Sequence, residues 1–424
     1  MVRICKHFGN CGGCSVFEED YASEVGMRQQ VAADILSETI ENWSQPVELQ
    51  HELSKRPPRH FRNRVLYPVQ SHPRQGLVAG LYRQGTHEIV EIDSCETQDP
   101  DLTELLRIGL RLAKEMELVA YDEKTGKGFL RAFDLRVIES TGEALFTIVT
   151  AGGVWDRSQE YAQELKARAE QIERPRGRRP FELVGILRNL NDEKGNRVLG
   201  RKYLPLLGRD YQMDRVGKPL PKAKMDRKGV QPPLWLRVSA GSFYQSHKKA
   251  DLLLYKPMFE ALTAPGGSFD GDESIQGKRV VDAYSGVGSF GLRAARAGAS
   301  KIEIIEESPR AMKDAVENFR RNGLTDQANF RVGRTAESLA KVKPGPHLLI
   351  LDPPRAGLQQ EGIEAVLALK PRFILYVSCH VPSLARDSAA LIKGGGWEHH
   401  SIRAADIFPR TQHLELVTLL GPQQ

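Results

Sequence analysis

The chain's five cysteines fall into a group of four and a single outlier. Cys5, Cys11 and Cys14 form C-x5-C-x2-C, Cys95 follows far downstream, and Cys379 stands alone near the end. Thiolates either hold soft metals or attack electrophilic carbon, so the two groups suggest a metal centre and a reaction centre. A lone distant fourth ligand is unlike the paired short knuckles of most zinc modules. Four thiolates suit an iron-sulfur cluster, with zinc, drawing on His7 or His87 as spare ligands, as the alternative. Cys379 follows the apolar run FILYVS, and strand ends are where α/β enzymes present nucleophiles. A free thiol of pKa about 8.5 is mostly protonated at neutral pH, so it needs nearby positive charge, for which Arg355 and His380 are candidates. The bland alternative for Cys379 is a small buried hydrophobe.

Three other strand ends carry chemistry. DAYSGVGSFGL, beginning at Asp282, has glycines that let the backbone turn from strand to helix and approach a ligand closely. It satisfies GxGxxG, which also fits a dinucleotide site. The acidic residue opening it matches instead the D-x-[FY]-x-G-x-G pattern of S-adenosylmethionine-dependent methyltransferases. Glu306 ends the next strand, where a carboxylate can accept hydrogen bonds from ribose hydroxyls; a solvated strand end is the alternative. Asp352-Pro353-Pro354-Arg355 follows LLIL, and its two prolines fix the carboxylate at the sheet's edge.

These residues need a sheet to hold them. Beyond residue 235 the sequence alternates strand and helix, which predicts a doubly wound α/β domain over 233–424. Residues 1–232 read as a separate α+β region. Within it, YASEVGMRQQVAADILSETI is spaced as an amphipathic helix, and short antiparallel strands run from Phe61 to about Val154. Further helices are expected near 101–117 and 157–172. At 424 residues, 40% hydrophobic and 27% charged, the chain has the composition of a folded protein of two or three domains. It has no apolar run long enough to span a membrane and no secretory h-region, which predicts a cytoplasmic protein with reduced thiols. The net charge of +6 is mild. Its basic residues concentrate in 55–64, 173–180 and 217–229, a pattern suited to a polyanion such as nucleic acid.

Together the motifs resemble one family, the RNA uracil-C5 (5-methyluridine) methyltransferases. The resemblance rests on DAYSGVGSFGL, LDPPRAGL, YVSCHVPSLARD and DIFPRTQHLELVTLL, and extends upstream through RVSAGSFYQSH, GILRNLNDEKGNRVLG, FRNR and the cysteine group. It implies a class I S-adenosylmethionine-dependent methyltransferase fold, with Cys379 adding to uracil C6 and Glu415 removing the C5 proton. Gln245, Tyr284, Gly286, Ser289 and Glu306 would contact the cofactor, S-adenosylmethionine, and Asp352 the cofactor or the uracil edge. His247, Ser289 and His380 stand where the family commonly has Asn, and the third-strand end near Arg334 and Thr335 lacks the usual acidic or amide residue. The cysteine group resembles that of members with a 4Fe-4S cluster that modify 23S rRNA. A barrel that precedes it in many members is expected to be missing. The implied partner is therefore RNA, rRNA ahead of tRNA, with the target uridine flipped out and the enzyme a monomer; Phe61, Tyr67 and Phe243 are candidate stacking partners. Competing classes are an iron-sulfur NAD or flavin oxidoreductase, which leaves DPPR and YVSC unexplained, and a non-catalytic RNA-binding protein, which would have lost Cys379 or Glu415.

Overall fold

The computed structural model describes residues 5–16, 20–41, 43, 46–51, 58–172, 181–195, 197–217, 232–263 and 274–423. The basic run 173–180, residues 55–57 and all of 217–229 except Gly217 lie outside them.

The first half comprises helix α1 (Tyr21–Thr39), strands β1 (Glu48–Gln50), β2 (Arg64–His72), β3 (Gly76–Tyr82) and β4 (Ile89–Glu91), helix α2 (Pro100–Glu115), strands β5 (Leu130–Ile138) and β6 (Glu143–Thr150), helix α3 (Ser158–Glu170), and strands β7 (Glu182–Leu190), β8 (Lys202–Gly208), β9 (Tyr211–Val216) and β10 (Leu234–Ser239). Helix starts follow local chemistry. Asp20 caps α1 by accepting from the N–H groups of Ala22 and Ser23, and Asp99 caps α2 with Pro100 in its first turn. Strands β4-β3-β2-β5-β6-β7-β8 form one sheet, antiparallel except for the β6–β7 pair. Helices α2 and α3 cover one face through Leu102, Leu105, Phe133, Phe146 and Tyr161, each such side chain contributing roughly 2 kcal/mol on burial.

The second half begins with a π-helical turn, Asp251–Tyr255, running into α4 (Lys256–Thr263). It continues with β11 (Arg279–Ala283), α5 (Ser289–Arg296), β12 (Lys301–Glu306), α6 (Pro309–Arg321), β13 (Ala328–Val332), α7 (Thr335–Leu339), β14 (Leu348–Leu351), α8 (Gln359–Leu369), β15 (Phe373–Ser378), α9 (Val381–Gly395), β16 (Trp397–Ala405) and β17 (Glu415–Pro422). The sheet order β1-β16-β17-β15-β14-β11-β12-β13 is parallel from β15 to β13, with β17 antiparallel to both its neighbours. Both faces are buried in alternation: Leu348 and Ile350 face one core, Leu349 and Leu351 the other. The order reverses between β11 and β14, which puts the loops after Ala283 and Leu351 side by side, the place where ligands bind in such sheets.

Two upstream elements join this sheet. β1 pairs in parallel with β16, and α1 packs Tyr21, Val25, Ala32 and Leu36 into the same core as Leu349, Leu384 and Leu420. Among the described residues no helix is long and apolar enough to cross a membrane.

Candidate active site

The glycine loop after β11 is built for close approach. Gly286 and Gly288 take φ of +56° and +80°, and Tyr284 is also left-handed at +61°. A Cβ at Gly286 would meet no atom nearer than the Phe243 carbonyl oxygen at 4.0 Å, so the loop borders open space. Gly291 is needed for a different reason: a Cβ there would lie 2.3 Å from Ile304 Cδ1, so only glycine lets α5 sit against β12. The Glu306 carboxylate accepts from the N–H of Gly286 at 2.9 Å and of Ser308 at 2.7 Å, joining the ends of β11 and β12. Tyr284 lies close to Thr335, and buried Ser289 lies close to Tyr255 on the π-helical turn. Gln245 is buried in the loop after β10.

Asp282 is fully buried; its Oδ2 accepts from Gly291 N–H at 2.7 Å, while Oδ1 has no partner. Burial, reinforced by the charges of Asp352 and Glu306, pushes its pKa up to about 8. The folded state therefore holds this proton more tightly than the unfolded chain. Its contribution to stability is complete below the unfolded-state pKa near 4, declines as pH rises, and is gone above about 8. Asp282→Asn keeps an acceptor for Gly291 and removes that titration. Melting temperature measured from pH 5 to 8.5 is expected to fall less in the variant than in the wild type, by roughly 3 °C or more.

Strand register assembles the remaining groups. Ser378 pairs with Leu416 on antiparallel β17, so the next residues, Cys379 and Glu415, stand side by side. Leu351 pairs with Tyr376, which brings Asp352 to the same edge. Asp352 keeps a partly exposed edge although protein surrounds it, whereas Glu415 is 2% exposed. Burial raises both carboxyls, that of Glu415 further because Asp352 is close. The Cys379 thiol is raised first by burial and then by Glu415, while the nearby Arg355 guanidinium opposes both. Arg355 Nη2 also reaches His413 Nε2 at 2.6 Å. His380 caps α9, and its Nδ1 lies 2.7 Å from Ser383 Oγ, which donates to the Arg355 carbonyl at 2.7 Å. Asp387 locks the turn after Asp352, accepting from Leu358 N–H at 2.7 Å and the Tyr376 hydroxyl at 2.6 Å.

Sequence reasoning missed His413, Tyr255 and Asp387. Position two residues before Glu415, just ahead of the last strand, was the available signal for His413; a buried tyrosine and a mid-helix aspartate carry none. His247 is buried, stacks on Phe61 at 4.9 Å, and is pushed down to about 4, chiefly by burial, so it is neutral. Asn63 N–H donates to the Ser246 carbonyl and Lys248 N–H to that of Phe61, so the FRNR segment clasps the loop carrying Gln245. Of the three aromatics considered for stacking, Phe61 and Tyr67 are core residues, and Phe243 is 62% exposed. In the described part of run 55–64, Arg64 forms a bidentate ion pair with Asp134 and Arg59 pairs with Glu96.

Cys5, Cys11, Cys14 and Cys95 line one pocket with His7, Arg62, Leu81 and Ile92. His7 Nε2 meets Asp93 at 3.1 Å, and His87 stacks on Tyr82 away from the pocket. All four cysteines are free, and among the described residues no group of three or more His, Cys, Asp or Glu is arranged to hold a metal ion.

Comparison with known proteins agrees with this architecture. A family model described as "Conserved hypothetical protein 95" matches residues 257–392. An uncharacterized RNA methyltransferase of Oceanobacillus iheyensis is 30% identical over 416 residues, covering 97% of this chain and 81% of the relative. Another, from Caldanaerobacter subterraneus, is 30% identical over 422 residues, covering 98% and 84%. The fold is similar to that of the Pyrococcus abyssi tRNA (uracil-54, C5)-methyltransferase in complex with S-adenosyl-L-homocysteine, at a TM-score of 0.67 and 23% identity, covering 94% of this chain and 83% of that one. A class I methyltransferase sheet and relatives of this similarity along nearly the whole length identify the chain as a methyltransferase enzyme belonging to the RNA methyltransferase family.

Proposed function

We propose that this enzyme methylates C5 of a uridine in RNA through a covalent Cys379 adduct, using S-adenosylmethionine. The observation that carries the reading is the register that sets Cys379 beside Glu415, with Arg355 on the thiol and Asp352 at the same edge. The glycine loop fits the cofactor: the open face at Gly286 and the two oxygens of Glu306 suit a methionine chain and a ribose, and Asp282 Oδ1 and Ser285 Oγ lie buried beneath the loop without a protein partner. Gln245, Tyr284 and Ser289 border the same loop. When bound, S-adenosylmethionine supplies an electrophilic methyl group on a sulfonium.

Arg355 favours the Cys379 thiolate, whose sulfur bonds to uracil C6 while the ring electrons move to O4 as an enolate, making C5 nucleophilic. The enolate electrons return to form the C5–CH3 bond as the methyl–sulfur bond breaks, leaving a neutral thioether. The Glu415 carboxylate then accepts the C5 proton, the C5–H electrons re-form the C5=C6 bond, and the C6–S bond breaks to release the thiolate. Incubation with 5-fluorouridine RNA and S-adenosylmethionine tests this scheme. Fluorine cannot leave as a proton does, so a methylated covalent complex is expected on a denaturing gel, and its absence rejects the reading.

Phe243, exposed beside the glycine loop, is suited to stack on a base of the splayed RNA. Phe243→Ala is expected to weaken RNA binding by roughly tenfold or more, with S-adenosylmethionine affinity unchanged in calorimetry.

The four-cysteine pocket is proposed to hold a 4Fe-4S cluster that supports the RNA-binding half. Four thiols line one apolar-walled pocket, with the Arg62 cation close enough to oppose the raised thiol pKa values, and cluster binding has to draw them into a ligand set that they do not form in this arrangement. Burial, with Cys95 second, pushes Cys14 up to about 12, so ligation must displace protons and is favoured as pH rises. Anaerobically purified protein is expected to be brown with about four irons per chain, and Cys14→Ser to lose that colour; zinc alone in the wild type rejects the cluster. The proposed RNA is 23S rRNA, bound by a monomer, on the resemblance of the cysteine group. The fold shared with a tRNA-directed enzyme makes tRNA the second reading, and methylation of the two purified RNAs separates them.

A further inference from the structure

The connection between β16 and β17, residues 406–414, leads directly into Glu415 and carries His413, the neighbour of Arg355. Its anchor lies at the other end of the sequence. Tyr21, Glu24 and Arg28 share one face of α1, and none is more than 4% exposed. Arg28 donates to Asp406 in bidentate fashion, Nη1 to Oδ1 at 2.8 Å and Nη2 to Oδ2 at 2.9 Å, and the Tyr21 hydroxyl donates to Oδ2. Glu24 accepts from Arg410 N–H at 2.8 Å and from its Nη1 at 2.7 Å. Arg410 adopts a left-handed φ of +67°, which a non-glycine residue keeps only where its surroundings impose it. The N–H groups of Ser15 and Val16 donate to its carbonyl at 2.9 and 3.2 Å, and Gln412 N–H donates to Ser15 Oγ at 3.1 Å.

Buried ion pairs of this kind contribute little net stability, because desolvation offsets their attraction, and apolar side chains of similar volume could fill the same space. What such a network does supply is a single geometry. Asp406 follows Ala405, which pairs with Glu415, so the charges on α1 grip the connection at its first residue and again at Arg410. We infer that Tyr21, Glu24 and Arg28 are positioning residues for Glu415, holding the β16–β17 connection so that the carboxyl reaches the C5 proton. The inference rests on the uracil-C5 reading above. Cys379 and Asp352 follow other strands, and Cys379 meets this connection only through Arg355 and His413, so the step that depends most on the anchor is proton removal, after methyl transfer.

Two variants test the assignment: Glu24→Gln, which keeps an acceptor for the Arg410 N–H but sets an amide N–H against its guanidinium, and Tyr21→Phe, which removes one hydroxyl and keeps the ring. Each is compared with wild type in adduct formation on 5-fluorouridine RNA and in turnover on ordinary RNA. Adduct formation is expected to change by less than about threefold while turnover by Glu24→Gln falls about tenfold or more, with methylated adduct accumulating on ordinary uridine RNA. Tyr21→Phe should show the same split to a smaller extent, and it carries the test if Glu24→Gln does not fold. Equal losses in both assays mean a merely structural role, and no loss means none; either overturns the assignment. If wild type forms no adduct, the uracil-C5 reading fails and this inference with it, whereas a wild-type adduct with no split in the variants overturns the inference alone.

Discussion

Cys379→Ala is expected to abolish both methyl transfer and the covalent complex with 5-fluorouridine RNA. Loss of a nucleophile typically costs on the order of 10⁴-fold or more, because no neighbouring group can substitute for the bond it makes. Here the neighbours are Arg355, Glu415 and Asp352, and none offers a sulfur. The substitution is structurally mild: Cys379 is partly exposed and lies one residue beyond the β15 ladder, so the stability change should stay within about 1 kcal/mol. S-adenosylmethionine binding is expected to persist, since the glycine loop and Glu306 lie on β11 and β12. A persistent adduct in Cys379→Ala would mean that another residue attacks C6, and the proposed scheme would be wrong.

Glu415→Gln should fail in a different way. The thiolate still adds and the methyl group still transfers, but the C5 proton has no acceptor, so methylated RNA remains bonded to Cys379 with ordinary uridine as substrate. Turnover is expected to drop by roughly 10²–10⁴-fold, the usual worth of a general base. Since burial and Asp352 hold the Glu415 carboxyl toward its neutral form, a neutral amide of the same shape costs no stability, and above neutral pH the variant should melt no lower than wild type. The same shift sets the pH profile. Cys379 and Glu415 must both be ionised to act, and both are raised, so wild-type turnover should increase from pH 6 to 9. A cation bound beside Asp352 and Glu415 would move that rise toward lower pH. Release of product by Glu415→Gln at the wild-type rate would assign the base elsewhere.

The strand ends that carry chemistry were legible because they obey local rules. LLIL, FILYVS and RVVDA are apolar runs that a parallel sheet buries on both faces, and the residues that interrupt them, Asp352, Cys379 and the glycine loop, must emerge at one edge. Helix α1 was likewise readable from its spacing, but its partner was not. Glu24 and Arg28 look like solvated charges on a helix surface; only the arrival of Asp406 and Arg410 from the opposite end of the chain makes them buried partners. β1 joins β16 for the same reason, since a three-residue strand carries no signal of what it pairs with.

Residue types and order alone determined that a thiol, a carboxylate, a glycine loop and a four-cysteine group exist, and which of them end strands of one sheet. The pairing of Ser378 with Leu416, which sets Cys379 beside Glu415, and the contacts of Arg355 with Cys379 and His413 were decided by tertiary structure. Periodicity reports what a segment buries against its own neighbours, whereas register and long-range ion pairs depend on segments hundreds of residues apart, whose meeting leaves no mark in either one alone.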